Sequence, residues 1–223
     1  MTRRCKPSIM QTKFKKFLQA GVVIPVLTTH LAVSSVSGGI TGLPSVADIL
    51  SVQNRTPSAE EIANKQLIDT GAKKIEKYFS KYDLPMKDYS YALAETAFRK
   101  NLPISTLAAM AMIESTGMAV HEDGRPKTCA QRTNNPFGYG SCKIKFDSVE
   151  SAIETVGATL NAENPGTASF YEGKTLPEKL RTYNGPGHVA DKSYVKKVMW
   201  VMDQIDSMDP NTDLATVNSK NNS

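Results

Sequence analysis

Glu114 stands where a carboxylate is most easily turned into a proton donor. It closes an almost wholly apolar helical run, Leu102 to Ile113, and a polar loop carrying Asn134-Asn135-Pro136-Phe137-Gly138 follows. A carboxyl at the edge of an apolar helix loses hydration in its charged form, so its pKa rises toward the pH at which it can give up a proton. A glycosidic oxygen needs that from a general acid. A second carboxylate could come from either Asp123 or Glu122, in the Glu122-Asp123-Gly124 segment shortly after this helix. That segment also reads as an ordinary solvated turn.

These residues require a scaffold, and its elements are legible. Ser58 and Glu61 form a Ser-x-x-Glu capping box ahead of Ile62, Leu67, Ile68, Ile75, Tyr78 and Phe79, which predicts a first helix ended by Leu84-Pro85. A second helix is expected from Asp88 to Arg99, burying Tyr89, Ala92, Leu93, Thr96 and Ala97 on one stripe. Asn101-Leu102-Pro103 turns the chain, with Pro103 near the first helical position of the next. That helix, Pro103 to Ser115, is apolar on nearly every side, so it should lie at the centre with others around it. Gly117 is placed to end it. From His121 to Cys142 the chain is too rich in Gly, Pro, Asn and charge for a helix, leaving a loop or small β-hairpin region. Asp147-x-x-Glu150 starts another helix carrying Val149, Ala152, Ile153, Val156 and Leu160. A short one follows from Leu176 to Tyr183, and a last from about Asp191 to Asp206, with Trp200 reaching toward the core. The methionines Met110, Met112, Met199 and Met202 read as packing. The fold class is mainly α.

Outside residues 58–207 the composition changes. Arg3, Arg4, Lys6, Lys13, Lys15 and Lys16 precede an apolar stretch from Ala20 to Leu27, followed by small residues from Ala32 to Gly38, the pattern of an export signal. Residues 1–38 are therefore expected to be a signal peptide or signal anchor, 39–57 a linker and 208–223 a disordered polar tail. Export to the periplasm or cell surface follows, with the membrane touched only through an uncleaved N-terminus. The formal charge of +5 is concentrated in this leader, and no basic stripe interleaved with aromatics remains to suit a nucleic acid. Cys129 and Cys142 flank the Asn-Asn-Pro-Phe-Gly loop. In an exported protein they would form a disulfide contributing about 3 kcal/mol; in a reducing compartment they would be two thiols. Neither a Cys-x-x-Cys nor a His pair supports zinc, and no cofactor or metal is expected.

Together these residues carry a family resemblance. Met110-Ala111-Met112-Ile113-Glu114-Ser115, after the Arg99-Lys100-Asn101-Leu102-Pro103 turn, resembles the catalytic helix of the lysozyme superfamily, especially lytic transglycosylases and bacterial glucosaminidases of the mannosyl-glycoprotein endo-β-N-acetylglucosaminidase-like type. Asn134-Asn135-Pro136-Phe137-Gly138-Tyr139 is similar to the Asn-Asn-x-Phe-Gly motif of glucosaminidases. Tyr183-Asn184-Gly185-Pro186-Gly187, with Tyr194 and Val195 beyond it, resembles the Tyr-Asn-x-Gly-x-Gly element of lytic transglycosylases. The Gly-Leu-Met-Gln stretch of transglycosylases is absent, and the Asn-Asn-Pro-Phe-Gly loop occupies its place.

The resemblance implies a lysozyme-like domain acting on the β-1,4-linked amino-sugar strands of peptidoglycan. Glu114 would be the acid, and Tyr183 would hydrogen-bond the carboxyl or the sugar's acetamido group. Phe137 and Tyr139 would pack on a sugar face, while Asn134, Asn135 and the backbone at Gly138 supply polar contacts. Each has a plainer alternative: Glu114 capping or pairing at a helix end, Tyr183 as a core residue with a satisfied hydroxyl, Phe137 plugging the core beneath the loop. Glucosaminidase-type hydrolysis is the first reading. Lytic transglycosylation, which leaves anhydro-muramic ends, is the alternative. A domain that only binds peptidoglycan within an envelope-spanning assembly, or a wall-cutting accessory of a secretion, conjugation or phage-entry apparatus, are the others.

Overall fold

Residues 56–141, 143–185 and 191–211 are described by a computed structural model, and all secondary structure below refers to them. The expected signal segment, nearly all of the linker and most of the tail lie outside this range. Eight α-helices follow one another: α1 Ala59–Lys81, α2 Ser90–Arg99, α3 Thr106–Ser115, α4 Ala130–Thr133, α5 Val149–Leu160, α6 Ala168–Tyr171, α7 Leu176–Asn184 and α8 Tyr194–Asp206. The chain is mainly helical, and among the described residues no strand forms.

The α1 start is the expected capping box: the Glu61 backbone N–H donates to Ser58 Oγ at 3.1 Å, and the Ser58 N–H donates to the Glu61 carboxylate at 2.6 Å. Its buried stripe is Ile68, Ala72, Ile75, Tyr78 and Phe79. Leu67 and Ile62, of the same apolar set, are exposed, because they sit about 100° and 120° round the helix from Ile68. A 3-10 turn, Pro85–Tyr89, replaces the start of the expected second helix, so α2 begins at Ser90 and buries Leu93, Ala94, Thr96 and Ala97.

The central helix starts three residues later than the sequence suggested. Pro103 to Ser105 form a turn in which the Thr106 N–H bonds the Pro103 carbonyl, and the Ser105 hydroxyl donates to Asp206 at the end of α8 instead of capping α3. From there α3 is enclosed by α2, α5 and α8. Thr106 to Ala111 and Ser115 are all buried, and truncating Leu107 or Met110 to Ala would cost about 2–5 kcal/mol. Three successive left-handed residues, Thr116, Gly117 and Met118, end the helix. A Cβ on Gly117 would stand 2.9 Å from the Phe79 ring, so the position requires glycine both for its φ and for its space.

The 121–142 segment departs from expectation in two ways. It contains the single-turn helix α4, and its hairpin is reduced to one antiparallel bridge, Val120 to Pro126. Ser148, not Asp147, caps α5 by accepting from the Ser151 N–H. Thr175 and Glu178 form a second capping box on α7. Helix α8 starts at Tyr194, since the Asp191 carboxylate is taken up by the Ser193 N–H and hydroxyl and by Lys197. Trp200 does not reach the core; it is 58% exposed. Met110 and Met202 are buried, with Met112 and Met199 packed against the core. At the other side of α5, Lys100 is nearly buried and bridges Glu154 at 2.8 Å and Glu163 at 2.5 Å, while Arg99 holds Glu154 at 2.6 Å.

Candidate active site

Glu114 occupies the last turn of α3, where the helix emerges from the core into a cleft of about 240 Å³. The loop after α4 supplies one wall through Phe137 to Ser141 and Ile144; α5, α6 and α7 supply Thr159, Tyr171 and Tyr183. The volume falls below the ~300–1,000 Å³ of pockets that enclose whole drug-sized ligands, which suits one subsite of a longer groove. Of the expected site residues, Glu114, Phe137, Gly138, Tyr139 and Tyr183 all line it.

Asn134 and Asn135 do not. Asn134 ends α4 in the left-handed conformation and donates its amide to the Phe146 and Asp147 carbonyls. Asn135 is fully buried: its amide N–H groups reach the Tyr139 and Ile144 carbonyls, and its side-chain oxygen accepts from the Tyr139 N–H at 3.0 Å. Both were expected to contact substrate, and both are used to hold the loop closed from within. Buried amides need such partners, and here the loop's own backbone provides them. Asp123 is also elsewhere. It accepts from the Arg125 N–H and guanidinium within its turn and is not part of the cleft wall.

The loop is seated on the acid. Gly138 has φ +60°, and a Cβ there would stand 3.2 Å from Glu114 Oε2. Glycine thus allows the backbone to cover the carboxyl, which removes water from it. Phe137 is fully buried beneath, and its carbonyl accepts a hydrogen bond from the Tyr183 hydroxyl at 2.9 Å, tying α7 to the loop. The Tyr139 ring lies 6.4 Å from that of Tyr183 and 6.3 Å from that of Phe146. Both plainer alternatives are thus partly realised: Phe137 does fill the core, and the Tyr183 proton is committed to the loop.

Burial pushes the Glu114 carboxyl up to about 7, and an interaction with Tyr194 offsets part of the rise. No Lys, Arg or His is among the described residues of the cleft wall. Tyr183 and Tyr194 are both held well above the usual tyrosine range, first by burial and then by the neighbouring Glu114 charge. The Tyr194 hydroxyl makes no hydrogen bond of ordinary length and angle, yet it stands near enough to Glu114 to act on its titration. Tyr194 and Tyr171 escaped the sequence reading as site residues because both look like core. The signal was a hydroxyl in an apolar stripe, since a buried tyrosine normally finds its oxygen a partner.

Cys129 is disulfide-bonded, and its expected partner Cys142 lies outside the described residues. Among the described residues no cluster of His, Cys, Asp and Glu could hold a metal, and no helix is long and apolar enough to cross a membrane. No protein-family model, curated protein or solved structure matches the chain.

Proposed function

We propose that this protein cleaves β-1,4-linked amino-sugar strands of peptidoglycan, with Glu114 as general acid in a lysozyme-like domain. The reading is carried by a buried carboxyl pushed up to about 7, with no second carboxylate and no cation among the described residues of the cleft wall. At pH 7 such a group is about half protonated. It can therefore both give a proton to the leaving oxygen and take one back.

The bond-breaking step is balanced by one residue. Protonated Glu114 donates to the bridging oxygen as the C1–O bond breaks, and the positive charge that develops on the ring is met by the sugar's own acetamido oxygen. Glu114, now a carboxylate, next accepts a proton from the nucleophile. Water as nucleophile gives a reducing end; the sugar's C6 hydroxyl gives an anhydro ring. With Asp123 held by Arg125 outside the cleft, a water-activating second carboxylate has no candidate among the described wall residues.

The Asn-Asn-Pro-Phe-Gly loop seated on the acid supports glucosaminidase-type hydrolysis as the first reading. The single-carboxylate wall favours lytic transglycosylation as the second. Mass spectrometry of digested wall material separates them: reducing N-acetylglucosamine ends exclude the transglycosylase, and anhydro-muramic ends exclude hydrolysis. Glu114→Gln tests the enzyme itself. Lost lysis with retained wall binding supports the reading; unchanged lysis overturns it. Should the unmodified protein bind the wall without cutting it, the domain is a binding component of an envelope assembly. The expected exported location would place it beside this substrate.

A further inference from the structure

Tyr139, Tyr171 and Tyr183 are the tyrosines among the described residues of the cleft wall, and two of their hydroxyl protons are committed within the protein. Tyr183 donates to the Phe137 carbonyl at 2.9 Å. Thr159 gives its own hydroxyl proton to the Thr155 carbonyl, so in the 3.4 Å contact between Thr159 and Tyr139 it is the Tyr139 hydroxyl that donates. Tyr171 is left over. It is 2% exposed, and its hydroxyl has no hydrogen-bond partner among the described residues. Its oxygen is not sealed off by packing, and the cleft is the space beside it. A buried tyrosine hydroxyl normally finds a partner, so this one is free to take it from a ligand.

Thr167 stands four residues before Tyr171, one helical turn away, and lines the same cleft. It is 4% exposed, does not cap α6 with its side chain, and reaches only the Asn164 carbonyl, at 3.5 Å. Its oxygen therefore remains an acceptor. Ile144 adds an aliphatic surface, and the described wall holds no cation and no carboxylate besides Glu114. A donor, an acceptor and an apolar neighbour without charge match a secondary amide bearing a methyl group, which is the acetamido substituent of an amino sugar.

We propose that Tyr171 and Thr167 are the specificity-determining pair of this cleft, the Tyr171 hydroxyl donating to the acetamido carbonyl of a bound sugar and Thr167 Oγ1 accepting its N–H. The protein thereby selects N-acetylated over de-N-acetylated glycan, because an ammonium offers the buried Tyr171 proton no acceptor. The identity of the ligand rests on the glycan-cleaving reading; the pair itself takes no part in proton transfer.

Calorimetric binding of the N-acetylglucosamine tetramer and of its de-N-acetylated form to the full chain tests the pair. Glu114→Gln is the common background, so that no glycan is cut and no carboxylate in the cleft attracts the ammonium. This protein should prefer the N-acetylated tetramer. Adding Tyr171→Phe should weaken that binding about tenfold and adding Thr167→Val about threefold, while the de-N-acetylated tetramer is unaffected by either. An unchanged preference in either variant overturns the assignment. In the unmutated protein, the carbon-13 signal of the labelled Tyr171 ring carbon bearing the hydroxyl should shift with the N-acetylated tetramer and stay fixed with the other. A flat response there overturns the proposal even if the variants do not fold. If the preference and its loss are found but the unmutated protein cuts no wall material, the Tyr171 pair stands and the enzymatic reading falls. If wall material is cut and the preference is absent, the pair falls and the enzymatic reading stands.

Discussion

Two glutamates on neighbouring helices show how one fold gives a carboxyl two characters. Glu154 on α5 and Glu114 on α3 are both driven up by burial as the largest single cause. For Glu154 the guanidinium of Arg99 and the ammonium of Lys100 more than reverse that, and it is held below the ordinary glutamate range. Glu114 has rings and a glycine backbone around it and is left near 7. Burial sets the starting point; the presence or absence of a cation decides the outcome. One region binds its carboxyl to cations; the other leaves its carboxyl near neutrality.

Three substitutions break or sharpen this contrast. The largest effect belongs to Glu114→Gln, which should lower wall lysis by about 10²–10⁴-fold, measured as clearance of purified peptidoglycan. The same change should raise stability where the carboxyl would be charged. Between about pH 4.5 and 7 the folded chain holds a proton that the unfolded chain has released. Stability is therefore lost as pH rises through that window and is flat above it. Glu114→Gln should recover up to about 3 kcal/mol at pH 8 and almost nothing at pH 4, read from urea unfolding at the two pH values. On the opposite side, Lys100→Met should lose about 1–2 kcal/mol, discounted because both of its partners are more than 40% exposed. Thermal unfolding with lysis unchanged would show that this network is structural. Gly138→Ala should cost about 1 kcal/mol through its left-handed backbone, and lysis should fall as the loop is pushed off the acid.

Much of this was legible in the sequence where local chemistry decides. The Ser58 capping box, the buried α3 and the acid at its end follow from side-chain type and periodicity, and the loop and Tyr183 were rightly expected near one another. What failed depended on direction. Asn134 and Asn135 are polar residues in a loop beside a cleft, but the left-handed turn at Asn134 aims their amides inward at carbonyls of the same loop. No pattern of residue types carries that reversal. Asp123 was considered on chain proximity alone, and Arg125 two residues on was the nearer partner. Trp200 was expected to reach the core by hydrophobicity, though Tyr194, Val198, Val201, Met202 and Ile205 already form the buried face of α8. Tyr194 lies on the same face of α8 as Val198, Val201 and Ile205. Only the surrounding geometry distinguishes its hydroxyl from their methyl groups.

The absence of a side chain at Gly138 has a consequence for how this site responds to change. The lid over the acid is main chain, anchored through Phe137 to a tyrosine 46 residues downstream. Hydration of the carboxyl is thus governed by where α7 sits, and a disturbance in that helix, far away only along the chain, would surface as a change in the acidity of Glu114.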